Sequence, residues 1–306
     1  MPDLAGLRAL YAATASHYET DLAPAFGPLA DDLATWLITC VRAHRAGMLF
    51  DPFDLDPADY RRCRAPAPPG QPLSTALDLG TGTGLLARAI APHAQAVIGL
   101  DLSPHMLARA ARAPNLHYVC ADLHAPPIGP GKVGLVASSF GLNASAPRQS
   151  LRTIARLLRP NGILAFQEWG PLDRASQIVE ETVCDHEPQN TPMDPAIREF
   201  YESPKPWYDE LQDREDYYLS LKRSGFAMVW VKEAPFVSVG FESVEGFTRC
   251  KLAWPLYRAA VDGMTPDGRV AFQSDLRERL RPYTRPDGRF DWTPPLFRVF
   301  AVRSGP

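Results

Sequence analysis

The sequence predicts an α/β fold with a mostly parallel sheet, and three observations support this prediction. Between residues 73 and 170, short apolar runs alternate with segments of helical periodicity, as in βαβ units whose strands are buried on both faces. A glycine cluster at residues 80–84 separates the first run from the first helical segment. Acidic residues lie at the ends of three runs, at Asp78, Asp101 and Asp122. Because parallel strands end at the same edge of a sheet, we expect these features to form one site.

Five apolar runs in this region are expected to form parallel strands. They span residues 74–79, 96–100, 116–120, 133–140 and 163–166. Helices are predicted over 85–90, from Pro104 onward and over 145–158. Ser103 is a suitable N-cap for the second of these helices, with Pro104 in its first turn. The third helix is expected to end before Pro160-Asn161-Gly162, because these residue types favour turns.

The pattern is less regular outside this region. Helical spacing of apolar residues predicts helices over 4–18 and 26–47, and a segment rich in Pro, Asp and Arg predicts a connector over 50–72. Further helices are predicted over 173–187, 208–224, 242–258 and 267–280. The remaining strands are expected at 227–232 and 296–302, where Arg298 interrupts the second apolar run.

Composition is ordinary for a globular protein and disfavours several function classes. The 306 residues are 45% hydrophobic and 22% charged, with a formal net charge of -3. The chain lacks the broad positive charge that phosphate backbones attract, which disfavours a nucleic-acid partner. Five cysteines without C-x-x-C spacing predict neither a disulfide framework nor a metal site. No run approaches the roughly 20 apolar residues of a membrane span, so we expect a cytoplasmic protein.

The glycine cluster favours a cofactor without phosphate groups. Its spacing is G-x-G-x-G, with Leu85 where a dinucleotide fingerprint needs glycine. Asp78 lies two residues before the first glycine, where its carboxylate would repel a pyrophosphate. A ligand that carries an ammonium and a sulfonium, as S-adenosylmethionine does, would instead be attracted. An oxidoreductase that uses nicotinamide or flavin is therefore disfavoured.

The other two aspartates suit a nucleoside. Asp101 ends the second run, where an acid can accept hydrogen bonds from both hydroxyls of a ribose. Asp122 follows the third run and can accept from an adenine amino group. Leu102 and Leu123 can flank the adenine ring.

At these residues the chain resembles the class I S-adenosylmethionine-dependent methyltransferases. The resembling segments are LDLGTGTG at 77–84, GLDLSPHML at 99–107, CADL at 120–123 and RLLRPNG at 156–162. The best local match is to small-molecule enzymes similar to the quinone and malonyl-carrier-protein methyltransferases. Two segments depart from the family pattern. Val133-Gly134 replaces Phe-Asp, and no Asn-Pro-Pro-Tyr motif follows the fourth run, which argues against amino-nitrogen acceptors.

The resemblance implies a fold, a cofactor and a set of site residues. The fold would be Rossmann-like, with a seven-stranded mostly parallel sheet whose last strand is antiparallel, a helical N-terminal segment and lid insertions. The chain would be a single methyltransferase domain over 1–306, with a cap and connector at 1–72, a cofactor-binding core at 73–170, and lid insertions and last strands at 171–306. S-adenosylmethionine, converted to S-adenosylhomocysteine, would contact Asp78, Gly80, Thr81, Gly82, Gly84, Asp101, Leu102, Met106, Ala121, Asp122, Leu123, Ser138 and Tyr18. Tyr11, His17 and Tyr18 are candidates to cover the cofactor.

The expected reaction is the in-line transfer of a methyl group to a small, aromatic or apolar acceptor. The insertions at 171–225 and 233–295 carry aromatic residues that either line an acceptor pocket or pack together in a core: Trp207, Tyr208, Tyr217, Tyr218, Phe236, Phe241, Phe247, Trp254 and Tyr257. A general base is optional for this chemistry, and the candidates are His186, His17 and Glu168. Two alternatives stay open, a non-catalytic S-adenosylmethionine-binding regulatory protein and an RNA or protein methyltransferase.

Overall fold

The computed structural model describes residues 4–48, 50–55, 73–188 and 191–305. The part of the predicted connector at 56–72, including Cys63, lies outside the described residues. Within the described ranges the strands, numbered in chain order, are β1 (Ala76–Leu79), β2 (Val97–Asp101), β3 (Leu116–Cys120), β4 (Val133–Ser139), β5 (Leu158–Trp169), β6 (Phe226–Ala234), β7 (Val239–Phe241), β8 (Phe290–Trp292) and β9 (Leu296–Arg303).

Seven of these strands form one sheet in the order β3-β2-β1-β4-β5-β9-β6. The pairs from β3 through to β5 are parallel, whereas β9 runs antiparallel to both β5 and β6. The predicted seven-stranded, mostly parallel sheet with an antiparallel last strand is thus confirmed. The antiparallel pair β7–β8 forms a separate small sheet that the sequence analysis missed.

The helices in the described ranges are α1 (Leu4–Ala15), α2 (Ala23–Arg45), α3 (Leu85–Ile90), α4 (Pro104–Leu107), α5 (Pro147–Leu157), α6 (Arg174–His186), α7 (Pro195–Glu202), α8 (Pro206–Glu210), α9 (Arg214–Arg223), α10 (Val244–Leu252), α11 (Pro255–Gly263) and α12 (Pro266–Leu280). A π-helical turn at Tyr18–Leu22 joins the first two. None of these helices combines the length and the apolarity that a membrane crossing requires.

Local capping explains where the helices begin and where two predictions were wrong. The Ser103 hydroxyl accepts the N–H of Met106, as expected for the N-cap of α4. The single helix predicted over 208–224 is instead α8 and α9, because the Asp213 carboxylate caps α9 by accepting two N–H groups. The helix predicted over 242–258 is likewise divided, since Pro255 starts α11 and cannot continue α10. Helix α7 was missed.

Three apolar clusters hold these layers together. On one face of the sheet α2 and α3 pack against the strands, and on the other face α5 and α9 do so. The third cluster lies beyond the carboxyl ends of the strands. It joins the N-terminal segment to the helices of both insertions, through residues such as Phe26, Ile178, Phe247 and Phe272. The N-terminal segment and the insertions therefore enclose the edge of the sheet where the predicted site lies.

A buried arginine fastens α2 to the sheet. Arg298, in the middle of β9, is 2% exposed. Its Nη2 donates to the carboxylate of Asp32 (2.8 Å) and to the amide oxygen of Gln167 (2.9 Å). The amide nitrogen of Gln167 donates in turn to the carbonyl of Leu29 in α2 (3.0 Å). The charge that interrupts the apolar run of the last strand is thus compensated by a carboxylate from another element.

Removal of that carboxylate should weaken the fold. We expect Asp32→Ala to lower the free energy of unfolding by about 2 kcal/mol, less than for a fully buried pair, because Asp32 itself is one-third exposed. Denaturation by urea would measure the change. Asp31→Ala, on the exposed side of the same helix, is the control and should have little effect. Equal unfolding free energies for the two variants would contradict this account of Arg298.

Candidate functional site

A cavity lies at the carboxyl ends of β1 and β2, and the glycine loop after β1 forms its floor. The N–H groups of Gly80 and Thr81 both donate to the carbonyl of Leu100 (2.9 and 3.1 Å), which fixes the loop against β2. Gly80 has a φ of +67°, and a Cβ at this position would clash with the backbone of Gly141. Only glycine meets both conditions, so the first glycine of the motif has a steric cause.

Asp78 connects the loop to the helix behind it. Its carboxyl group is almost fully buried, and Oδ2 accepts hydrogen bonds from the Thr81 hydroxyl (2.6 Å) and from the N–H of Ala87 in α3 (3.1 Å). Burial raises the pKa of this carboxyl to about 7, although both hydrogen bonds oppose the shift. Asp78 thus lies in the cavity wall as a group that titrates near neutral pH.

Asp101 is held by backbone donors at the end of β2. Its Oδ2 accepts the N–H of Gly82 (2.8 Å), and its Oδ1 accepts the N–H of Ser103 (2.8 Å). Burial raises the pKa of this carboxyl, and these hydrogen bonds oppose the rise. Each carboxylate oxygen has a second lone pair, so the group can still accept hydrogen bonds from a ligand.

Asp122 is fixed by a histidine that the sequence analysis missed. The Asp122 Oδ1 accepts the N–H of His124 (2.9 Å) and lies 2.9 Å from the Nδ1 of the same residue. The other ring nitrogen of His124 lies 3.1 Å from the hydroxyl of Ser150. His124 and Asp122 both line the cavity, next to Leu123. No sequence motif marks His124, because its role depends on a serine in α5.

Aromatic residues cover this cavity from the side of the N-terminal segment. Tyr11, Tyr18 and Phe26 all line it, so two of the three residues considered for covering the cofactor are present there. Phe26 contacts Phe140 and Trp169 edge to face (centroids 5.4 and 5.7 Å). Phe140 stacks on Trp169 with the centroids 4.0 Å apart.

Phe140 has a backbone conformation that is unfavourable for its residue type. Its φ is +63°, in the left-handed region that favours glycine. The stacking on Trp169 and the hydrogen bond from its N–H to the carbonyl of Gln167 (3.0 Å) hold it there. Strained residues of this kind concentrate at ligand sites, and Phe140 lies in the wall of the cavity.

A second cavity adjoins the first. The residues that line both are Leu7, Tyr11, Asn143, Ala144, Trp169 and Trp254. Beyond them the second cavity is lined by aromatic and apolar side chains from both insertions, with two lysines and two acids among them. We call the shared residues the common wall.

Glu168 supports the common wall from behind. Its Oε1 accepts the N–H of Leu142 (2.9 Å) and its Oε2 accepts the side-chain amide of Asn143 (3.1 Å). Complete burial raises the pKa of this carboxyl to about 8. Glu168 lines neither cavity. Because both of its oxygens accept hydrogen bonds from residues 142 and 143, it orients the loop that carries Asn143.

The structure brings most of the predicted cofactor residues together. The first cavity is lined by Asp78, Gly80, Thr81, Gly82, Asp101, Leu102, Met106, Ala121, Asp122, Leu123 and Tyr18. Gly84 and Ser138 do not line it. Gly84 is the N-cap residue of α3, and the Ser138 hydroxyl donates to the carbonyl of Leu79 (2.8 Å), which ties β4 to β1.

The two histidines considered as general bases lie away from both cavities. His186 pairs with Asp275 (3.0 Å), and His17 contacts Arg258 (2.8 Å) and the carbonyl of Ala253 (2.9 Å). Within the described residues no cluster of His, Cys, Asp and Glu is arranged to hold a metal. A catalytic role for either histidine stays a prediction.

The aromatic residues of the insertions divide between the two predicted uses. Tyr208, Trp254 and Tyr257 line the second cavity. Others are buried in apolar clusters, namely Trp207, Tyr217, Phe241 and Phe247. Tyr218 is exposed, and Phe236 packs at the edge of the third cluster.

Comparisons with known proteins match a methyltransferase domain to the parallel region of the sheet. Residues 77–166 match the family model described as a methyltransferase domain. The malonyl-[acyl-carrier protein] O-methyltransferase of Laribacter hongkongensis is 28% identical over 254 residues, which cover 70% of this chain and 78% of that protein. The enzyme of the same name from Enterobacter lignolyticus is 35% identical over 111 residues, which cover 36% of this chain and 43% of that protein.

Among solved structures, the YcgJ protein of Bacillus subtilis has a TM-score of 0.48 at 13% identity, and the match covers 77% of this chain and 94% of that one. The domain match and the relatives therefore agree with the motifs at the glycine loop and the strand ends. These matches support a class I S-adenosylmethionine-dependent methyltransferase.

Proposed function

We propose that this enzyme binds S-adenosylmethionine in the first cavity and methylates a small aromatic or apolar acceptor in the second. The observation that carries the proposal is the common wall. Through it the first cavity, which has acids at the strand ends, adjoins the second cavity, which has aromatic side chains. Residues 73–170 would bind the cofactor. The N-terminal segment and the insertions within 171–306 would then form the lid that holds the acceptor.

The charges of the first cavity fit this cofactor. Three carboxyl groups line it, those of Asp78, Asp101 and Asp122, and the described residues place no Lys or Arg beside them. A phosphate-bearing cofactor would be repelled in such a site, whereas a ligand with an ammonium and a sulfonium is attracted. Asp101 would accept the ribose hydroxyls, while Leu102 and Leu123 would flank the adenine.

The chain's contribution to the reaction would be orientation and exclusion of water. When bound, S-adenosylmethionine supplies an activated methyl carbon. The partly buried Tyr11, Trp169 and Trp254 would shield the meeting point of the two cavities, which favours reaction over hydrolysis. Burial raises the pKa of Tyr11, so its phenol stays protonated and can donate a hydrogen bond but not accept a proton.

The common wall also indicates which ionisation state the acceptor atom should have. Apart from the indole N–H groups of two tryptophans, which only donate, its polar side chains are Tyr11 and Asn143. The Asn143 amide already donates to Glu168 and to the carbonyl of Phe140. Neither is a base near neutral pH. An acceptor atom that is already ionised or strongly nucleophilic therefore suits the site better than one that needs deprotonation.

A carboxylate on an acyl-carrier protein is the second candidate acceptor. It is favoured by the relatives whose names state that reaction, one of which aligns over 70% of this chain. A free small molecule should be methylated without a carrier protein, whereas this alternative requires the carrier for turnover.

The ribose anchor can be tested by calorimetric titration. We expect wild-type protein to bind S-adenosylhomocysteine and Asp101→Ala to bind it at least about tenfold more weakly, because a charged acceptor of two hydrogen bonds is lost. Asp101→Asn should have an intermediate affinity. Asp267→Ala, at an exposed position in α12, is the control. Equal affinities for wild type and Asp101→Ala would contradict the assignment of Asp101.

The affinity for S-adenosylmethionine should depend on the charge of Asp78. Because the pKa of this buried carboxyl is about 7, it is mostly neutral below pH 6 and attracts a cationic ligand less. We expect the affinity to fall about tenfold from pH 7.0 to 5.5 in wild type. In Asp78→Asn the affinity should be lower and nearly independent of pH over this range. Parallel pH dependences in the two proteins would exclude Asp78 as the titrating group.

A further inference from the structure

Lys251 lies in the wall of the second cavity without a hydrogen-bonded partner. Its Nζ is 5.2 Å from the centroid of the Trp292 ring, and the described part of the chain offers it neither a hydrogen bond nor a direct ion pair. The residue belongs to α10, which comes from the second insertion. The ammonium of Lys251 can therefore donate hydrogen bonds to a ligand in the second cavity.

The other charged groups of this cavity are already engaged. The ammonium of Lys205 donates to the carbonyls of Phe200 and Ser203. The carboxylate of Asp173 accepts hydrogen bonds from the backbone N–H of Ser176 (3.0 Å), from the Ser176 hydroxyl (2.6 Å) and from the indole N–H of Trp292 (2.9 Å).

Glu180 accepts the hydroxyl of Tyr257 (2.6 Å). Lys251 therefore differs from the other three charged residues, because hydrogen bonds within the chain account for their orientation and not for that of Lys251.

The ammonium of Lys251 keeps its N–H groups available to a ligand. Burial lowers the pKa of its ammonium, while the carboxylates of Asp173 and Glu180 oppose the shift without contacting it directly. Lys251 is partly buried and has no hydrogen-bond acceptor from the described chain. A ligand carboxylate can accept charge-assisted hydrogen bonds from its ammonium, which neither Asp173 nor Glu180 does. An aromatic ring of the ligand would at the same time pack against Trp292 and its neighbours.

The position of Lys251 determines which end of the acceptor it binds. Trp169 belongs to the common wall, whereas Trp292 and Lys251 line only the second cavity. The rings of Trp169 and Trp292 lie 5.9 Å apart, so Trp292 and Lys251 follow Trp169 on the side away from the cofactor cavity. Lys251 would hold a group at the far end of the acceptor, not the atom that is methylated.

We propose that the acceptor is an aromatic carboxylate, and that Lys251 binds its carboxylate at the end of the second cavity remote from the cofactor. The inference rests on the proposed function, because it assigns the second cavity to the acceptor. A neutral aromatic acceptor would leave Lys251 without a partner. An acyl group on a carrier protein would present its carboxylate at the common wall, where the reaction occurs.

The experiment compares two probes of equal shape and different charge. The full-length protein, saturated with S-adenosylhomocysteine, is titrated calorimetrically with 2-naphthoate and with 2-naphthamide. Wild type should bind the carboxylate at least about tenfold more tightly than the amide. Lys251→Met should bind both probes equally, and Lys251→Arg should restore the preference. Lys205→Met is the matched control, since Lys205 lines the same cavity with its ammonium engaged, and it should keep the preference.

Three results would overturn the proposal: equal affinities in wild type, no binding of either probe, or a preference that survives Lys251→Met. Lys251→Gln replaces the methionine variant if that variant fails to unfold cooperatively. Binding of S-adenosylhomocysteine is measured first on every protein. Its absence in wild type would contradict the proposed function itself, whereas its presence without a naphthoate preference would contradict only the role of Lys251.

Discussion

The loop that follows β1 is the constraint on which the site depends. It is held from two sides, by N–H donation from Gly80 and Thr81 to β2 and by the bridge from Asp78 to Ala87 in α3. The close approach of Gly141 from the loop after β4 leaves no space for a side chain at position 80. These backbone contacts fix the shape of the first cavity independently of the side chains that would bind a ligand.

The two cavities divide the chemistry by charge. Acids at the strand ends face the first cavity, and Lys251 faces the second. Three of the six residues of the common wall are aromatic, and Trp169, one of these, stacks on Phe140, which has a backbone conformation that its residue type disfavours. In our proposal this division lets a cationic cofactor and an anionic acceptor bind on opposite sides of Trp169, without either competing for the other's site.

The sequence predicted those features whose cause is local. The strands of the parallel region and the Ser103 cap follow from residue type and spacing, and both are present. The β7–β8 pair was missed because its strands lie about fifty residues apart and each is three residues long. A short strand with a distant partner leaves no periodic signal.

The candidate site was predictable to a similar degree. The residues proposed to bind the cofactor follow the strand ends, so a motif locates them. Gly84 and Ser138 belong to the same motifs, but Gly84 is the N-cap residue of α3 and the Ser138 hydroxyl donates to a backbone carbonyl. His124 and Lys251 could not be found from the sequence, because each acquires its role from elements remote in the chain. Glu168 has the raised pKa of a catalytic acid, but the hydrogen bonds to both of its oxygens hold the loop of Asn143.

The most direct measurement of the central claim is a crystal structure of the protein with S-adenosylhomocysteine. Our account predicts the ribose hydroxyls within hydrogen-bond distance of the Asp101 carboxylate, the adenine between Leu102 and Leu123, and the sulfur facing the common wall. A ligand bound in the first cavity with its ribose away from Asp101, or bound elsewhere on the protein, would contradict it.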